Sequence, residues 1–220
     1  MNKHISQMWK IFSIKDSSIK ELRALWPKGI SPLKPTIIKH FRVRSYDTVE
    51  ECKSAFEADA LRLNGLGYNI YTVMNPIKAC INGKAVKDAD ISHRNLLLID
   101  IDRKGDASCP ASDEELNSTG SLAASVREFL ADEDWPDPIK VMSGNGWHLY
   151  YAMDDLDNDK KNTELIKQTL NNLARRFDNS IAGVDTSVSN ASRITKVPGT
   201  IMHKGQESEG RPYRMAIVHE

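Results

Sequence analysis

The heptapeptide Leu96-Leu97-Leu98-Ile99-Asp100-Ile101-Asp102 constrains this chain more than any other segment. Four consecutive aliphatic residues fall far short of the ~18 that a membrane-spanning helix needs. The alternation that follows is that of a strand. Strand side chains alternate between faces, so Asp100 and Asp102 point one way and Ile101 the other, into a core. Two carboxylates side by side at the end of an apolar strand repel each other unless a cation lies between them. A hard divalent ion such as Mg²⁺ fits that need, because it takes carboxylate and phosphate oxygens. A turn through Arg103-Lys104-Gly105 would explain Asp102 alone; Asp100 lies inside the strand and needs another reason.

The flanking segments set the topology. Ser121–Leu130 reads as a helix with Leu122, Val126, Phe129 and Leu130 facing inward. Ile139–Met142 and His148–Met153 read as strands joined by the turn Ser143-Gly144-Asn145-Gly146, and Lys160–Phe177 as a helix. A last strand is expected in Arg193–Val197 or Tyr213–Val218. This β-α-β-β-α-β order is the split unit of ferredoxin-like and RNA-recognition-like folds. Ahead of it, Val49–Asn64 has helical spacing through Cys52, Phe56, Ala60 and Leu63, and Tyr68–Met74 alternates as a strand. Residues 1–45 are expected to be mostly irregular, since Pro27, Pro32 and Pro35 break any long helix, with short strands at Glu21–Trp26 and Ile37–Val43. The expected class is α+β: an α/β part in residues 1–90 packed against an RNA-recognition-like part in 91–220. At 220 residues the whole is expected to be one elaborated domain.

Composition narrows the function classes. An apolar fraction of 40% with 27% charged residues argues against disorder, fibre and collagen. Cys52, Cys80 and Cys109 form no CxxC, which is neither a disulfide framework nor a zinc pattern and fits a reducing cytosol. Lys10, Lys15 and Asp16 interrupt the N-terminus, so a secretory apolar core is missing. A soluble cytoplasmic protein without a membrane partner is expected. The net charge is zero but segregated: residues 1–104 hold eighteen Lys and Arg against eleven Asp and Glu, and residues 105–164 hold four against fourteen. That distribution allows a phosphate-attracting face beside an acidic one, and equally a plainly solvated acidic surface.

Two further segments bear chemistry. In Ser143-Gly144-Asn145-Gly146-Trp147-His148, glycines let the backbone approach a ligand, turn amides can receive phosphate oxygens, and His148 can donate to a triphosphate. The same residues also read as a plain hairpin, Asn145-Gly146 being a turn signal by itself. Further on, Gly183-Val184-Asp185 offers a third carboxylate, and Arg193 and Lys196 in Asn190–Thr200 suit an anionic ligand. Read singly, Asp185 is equally a loop cap and the two cations are equally surface residues.

The ordered set, an hhhDhD strand, then SGxGxH, then hD with a downstream SRxxKxPGT, resembles the archaeo-eukaryotic primase superfamily, in particular the primase-polymerase domains of plasmids, phages and other mobile elements. The resemblance spans about residues 20–218 and includes Glu21–Leu25 and Tyr71–Pro76. It implies a nucleotidyltransferase, a DNA primase and/or DNA polymerase using two-metal catalysis with Mg²⁺ or Mn²⁺. Asp100, Asp102 and Asp185 would hold the metals, with His148 beside them. Ser143, Gly144, His148, Arg193 and Lys196 would contact the nucleotide. Implied partners are a single-stranded DNA template, a primer, dNTPs or NTPs, and a helicase module in the same or a neighbouring chain. The second motif departs from the family's, with four residues between Ser143 and His148 instead of one, which leaves the serine contact open. No Cys–His cluster marks a zinc module, which favours extension over unaided initiation. Two rivals remain: a rolling-circle initiator nuclease, which needs a His-x-His site that this sequence lacks, and a non-catalytic single-strand binder stacking bases on Tyr68, Tyr71, Tyr150 and Tyr151.

Overall fold

The computed structural model describes residues 2–12, 18–81, 85–106 and 108–219; Lys15, Asp16 and Glu220 lie outside them. In chain order the first elements are α1 (Lys3–Ile11), β1 (Ile19–Leu25), β2 (Ile37–Arg42), α2 (Val49–Gly65), β3 (Asn69–Val73) and β4 (His93–Arg103). They are followed by α3 (Asp113–Asp132), β5 (Ile139–Met142), β6 (Gly146–Asp157), α4 (Lys160–Phe177) and β7 (Ala182–Val184). The chain closes with β8 (Ile194–Lys196), β9 (Ile201–Met202), β10 (Arg214–Met215) and β11 (Ile217–His219). No helix among the described residues is long and apolar enough to cross a membrane.

The class is α+β, with antiparallel sheets. One sheet has the order β2-β1-β3-β8, the other β11-β5-β6-β4-β7, and β9 pairs with β10 in a short ribbon. β4, β5, β6 and β7 are the four strands of the split unit; β4 pairs along its length with β6, and its end Ile101–Arg103 also pairs with β7. The fourth strand of that unit is thus Ala182–Val184, in neither of the two segments expected. Both of those segments do contain strands, used elsewhere: β8 extends the other sheet beside β3, and β11 adds an edge beside β5.

Alternation along β4 decides what lies where. Leu97, Ile99 and Ile101 are buried beneath α3 and α4 with Leu122, Val126, Leu149, Leu170 and Leu173. Leu96 and Leu98 face the other way, into a core shared with α1, α2 and the four-stranded sheet. Asp100 and Asp102 continue that second row, so they stand where the layer between the two sheets loses its apolar filling. Each buried aliphatic side chain there contributes about 1.5–3 kcal/mol.

The N-terminus is not irregular. Asn2 Oδ1 caps α1 by accepting from the amides of His4 and Ile5 at 3.0 and 3.3 Å. Ile5, Met8, Trp9 and Phe12 then fall on one helical face and are buried. α3 begins eight residues before the expected Ser121, because Ser112 and Glu115 form a capping box that extends it. α4 has the expected bounds, capped by Asp159.

Candidate active site

β4 delivers Asp100 and Asp102 to one face, and the antiparallel register sets His148 opposite Asp100 and Gly146 opposite Asp102. The chain leaving β7 supplies Asp185, whose amide donates to the Asp100 carbonyl at 2.8 Å. One carboxylate oxygen from each of Asp100, Asp102 and Asp185 lies within 4.8 Å of the other two. Mg²⁺ takes oxygen ligands at about 2.1 Å, so carboxylates gathered this closely are placed to hold a divalent ion after side-chain adjustment.

Charge is concentrated around these groups. His148 Nε2 lies 3.4 Å from Asp100 Oδ1, and Arg193 Nη2 lies 3.1 Å from Asp185 Oδ2. Burial would raise the Asp100 pKa; His148 beside it, with Arg193 and Lys204, outweighs it and holds the carboxyl below its ordinary value. Burial and the neighbouring Asp100 charge push Asp102 up from 3.8 to about 6. One carboxylate is thus balanced by cations and the other is short of them, a situation that a divalent ion relieves. Tyr71, at the floor of this space, is pushed up to about 12 by burial and by the charges of Asp100 and Asp102.

The remaining sequence candidates are placed as follows. Ser143 and Gly144 are buried in the turn between β5 and β6, closed by the Ser143 amide donating to Gly146 O at 2.9 Å. Gly144 adopts φ +106°, and a Cβ there would meet Met202 Cβ at 2.6 Å. Its amide donates to Met142 Sδ at 3.0 Å, so the glycine serves a close contact within the protein and its N–H points inward. Gly146 lies against the strand itself: a Cβ would meet the Ile101 carbonyl at 2.2 Å. Lys196 is buried at 1% exposure, its ammonium donating to Ile201 O at 2.9 Å, and burial lowers its pKa to about 7.

The lysine whose charge reaches both Asp100 and Asp102 is Lys204, which sequence reasoning missed. It lies in a coil, and two buried asparagines set its approach. Asn64 exchanges hydrogen bonds with the backbone of Ile201 (2.8 and 2.7 Å), and Asn69 with that of His203 (2.6 and 2.7 Å). Asn64 just before the end of a helix and Asn69 opening a strand were the available signals.

Against solved structures, the chain aligns over 100% of its length with 90% of the AEP domain of the cyanophage S-2L primase-polymerase, at a TM-score of 0.59 and 17% identity. The chain has the primase-polymerase fold. The same fold relates it to the polymerase domain of Mycobacterium tuberculosis Ligase D, solved in complex with DNA (TM-score 0.54, 15% identity, 90% of this chain and 74% of that one). Primase RepB′ is similar at a TM-score of 0.53 and 12% identity, over 99% of this chain and 55% of its own. No family model matches the sequence, and no curated protein matches it. The carboxylate triad lies at one end of the five-stranded sheet, where Thr195 of β8 reaches His148 and Arg193, just before β8, reaches Asp185.

Proposed function

We propose that this chain transfers nucleotides to a primer on a DNA template, as a DNA polymerase and/or primase. The observation that carries the reading is the meeting of Asp100, Asp102 and Asp185 within 4.8 Å, with His148, Arg193 and Lys204 around them, on this fold. The donor set is all carboxylate oxygen, which suits Mg²⁺ or Mn²⁺. An ion held there would supply Lewis acidity to the attacking 3′-hydroxyl and to the phosphates.

The chain's own groups then have defined tasks. Arg193 and Lys204 offer positive charge where phosphate charge accumulates, and His148 Nε2 faces the same space. Ser143 and Gly144 shape the hairpin that sets His148, and Lys196 braces the Ile201 backbone leading to Lys204. Because the triad comes from one sheet and Arg193 borders a strand of the other, residues 1–220 act as one catalytic unit. The template is held mainly through its phosphates, for which Lys10, Lys28 and Lys34, all exposed, are candidates. A linked or neighbouring DNA-gripping module such as a helicase would raise the effective concentration of template.

The single-strand-binding alternative keeps little of its platform: Tyr68, Tyr150 and Tyr151 are at most 5% exposed, and of the four tyrosines only Tyr71 is partly accessible. The test is incorporation of labelled nucleotide on a primed and an unprimed template, with Mg²⁺ or Mn²⁺. Metal-dependent incorporation is expected; DNA binding with no incorporation under either metal would return the protein to the binding class.

A further inference from the structure

We propose that Tyr150 and Thr195 are positioning residues that fix His148 as its Nε2–H tautomer, so that one N–H faces the carboxylate triad and the nucleotide phosphates. What Nε2 meets rests on the nucleotidyl-transfer reading; the tautomer rests on hydrogen-bond geometry alone.

His148, Tyr150 and Thr195 are 6%, 2% and 2% exposed. His148 Nδ1 lies 3.0 Å from the Tyr150 hydroxyl and 3.2 Å from Thr195 Oγ1, and the two hydroxyls are hydrogen-bonded to each other. Neither hydroxyl has another hydrogen-bond partner among the described residues. The triangle therefore has three edges and two hydroxyl protons. One hydroxyl donates to the other, and the second donates to Nδ1, which completes the set if Nδ1 is an acceptor. A proton on Nδ1 would leave one buried proton without an acceptor, which is unfavourable. With Nδ1 accepting, the ring's proton is on Nε2, which lies 3.4 Å from Asp100 Oδ1. The opposite tautomer would set a nitrogen lone pair against a carboxylate.

The two hydroxyls reach His148 from different places. Tyr150 follows it on β6, with its ring edge-on to Phe12 at 5.8 Å, whereas Thr195 belongs to β8 of the four-stranded sheet. Thr195 sits between Arg193 and Lys196 in sequence, so a shift of β8 is felt at once by the histidine and by Arg193. The network thus ties the aim of His148 to the packing of the two sheets.

The experiment is a long-range ¹H–¹⁵N spectrum of the metal-free full chain labelled in histidine, at a pH above the ordinary histidine pKa of about 6.5. His148→Gln assigns the His148 signals. The expected pattern has an unprotonated Nδ1 and a protonated Nε2, moving toward a tautomer mixture in Tyr150→Phe/Thr195→Val. A proton on Nδ1 in the wild type, or an unchanged pattern in the double variant, overturns the proposal. Tyr150→Phe alone keeps the ring against Phe12 and gives the comparison if the double variant does not fold. In primer extension the double variant is expected to raise the nucleotide KM about tenfold or more with unchanged primer–template affinity, and Thr195→Ser to stay near wild type. An unchanged KM removes the positioning role even where the tautomer stands. A wild-type protein that incorporates nothing defeats the functional reading and leaves the spectrum to decide the tautomer.

Discussion

Asp102 is the residue at which folding and function pull apart. A carboxyl raised from 3.8 to about 6 binds its proton more tightly in the folded than in the unfolded chain. Its ionisation therefore costs stability above pH 6, and the cost vanishes below the unfolded value. In the metal-free protein, Asp102→Asn is expected to melt higher than wild type above pH 6, by about 2–4 °C after discounting for its solvent-facing side, with the gain gone at pH 3.8. Thermal melts across that range check it; a lower melting temperature above pH 6 would mean that Asp102 is structural. Glu115 shows the opposite sign. The Arg211 hydrogen bond leads the causes that lower it from 4.5 to about 2, with Oε2 at 2.7 Å from Arg211 Nη1 and 3.2 Å from Arg103 Nη1. Its contribution is present above pH 4.5 and is lost as pH falls toward 2. Glu115→Gln should thus melt below wild type at neutral pH, and the gap should close through that window.

At the scale of elements, α1 makes the clearest packing test. Met8 is completely buried between α2 and the two sheets, so Met8→Ala is expected to cost about 2–5 kcal/mol, read from urea midpoints. A loss near zero would detach α1 from the core. The helix is legible in Asn2 and the spacing of Ile5, Met8, Trp9 and Phe12; Pro27, Pro32 and Pro35, which break helices, all lie downstream of it and leave it intact. β4, β6, α2 and α4 were legible because each has a long run of one period, which local chemistry cannot hide. β7 was not: three residues with Gly183 at the centre present no pattern, and only pairing with Ile101–Arg103 makes them a strand. The pairing of Asp100 with Asp102 could be read from alternation alone. Their meeting with Asp185 depends on β7, and the arrival of Lys204 on long-range asparagine contacts, so neither was visible locally.

Over the whole molecule, the two ends of the antiparallel β4–β6 pair are chemically distinct. His93 pairs with Asp157 at one end and Asp102 with Gly146 at the other, nine residues and ~30 Å away. The acidic run Asp154–Asp157 is thereby kept far from the triad, and a polyanion can approach the triad without crossing it. Template affinity is expected to fall linearly with salt on logarithmic axes, and Lys28→Ala to lower that slope by about 1 while leaving the nucleotide KM unchanged. Fluorescence-anisotropy titrations at several salt concentrations measure this, and an unaltered slope would take Lys28 off the template path. We propose that one carboxylate triad, assembled from β4 and the chain leaving β7, performs nucleotidyl transfer. Single-turnover incorporation by Asp100→Asn and Asp102→Asn, on a primed template with saturating Mn²⁺, tests it most directly. Rates at least about 100-fold below wild type are expected, with circular dichroism and primer–template affinity unchanged; folded variants that retain the wild-type rate would remove the triad from the reaction.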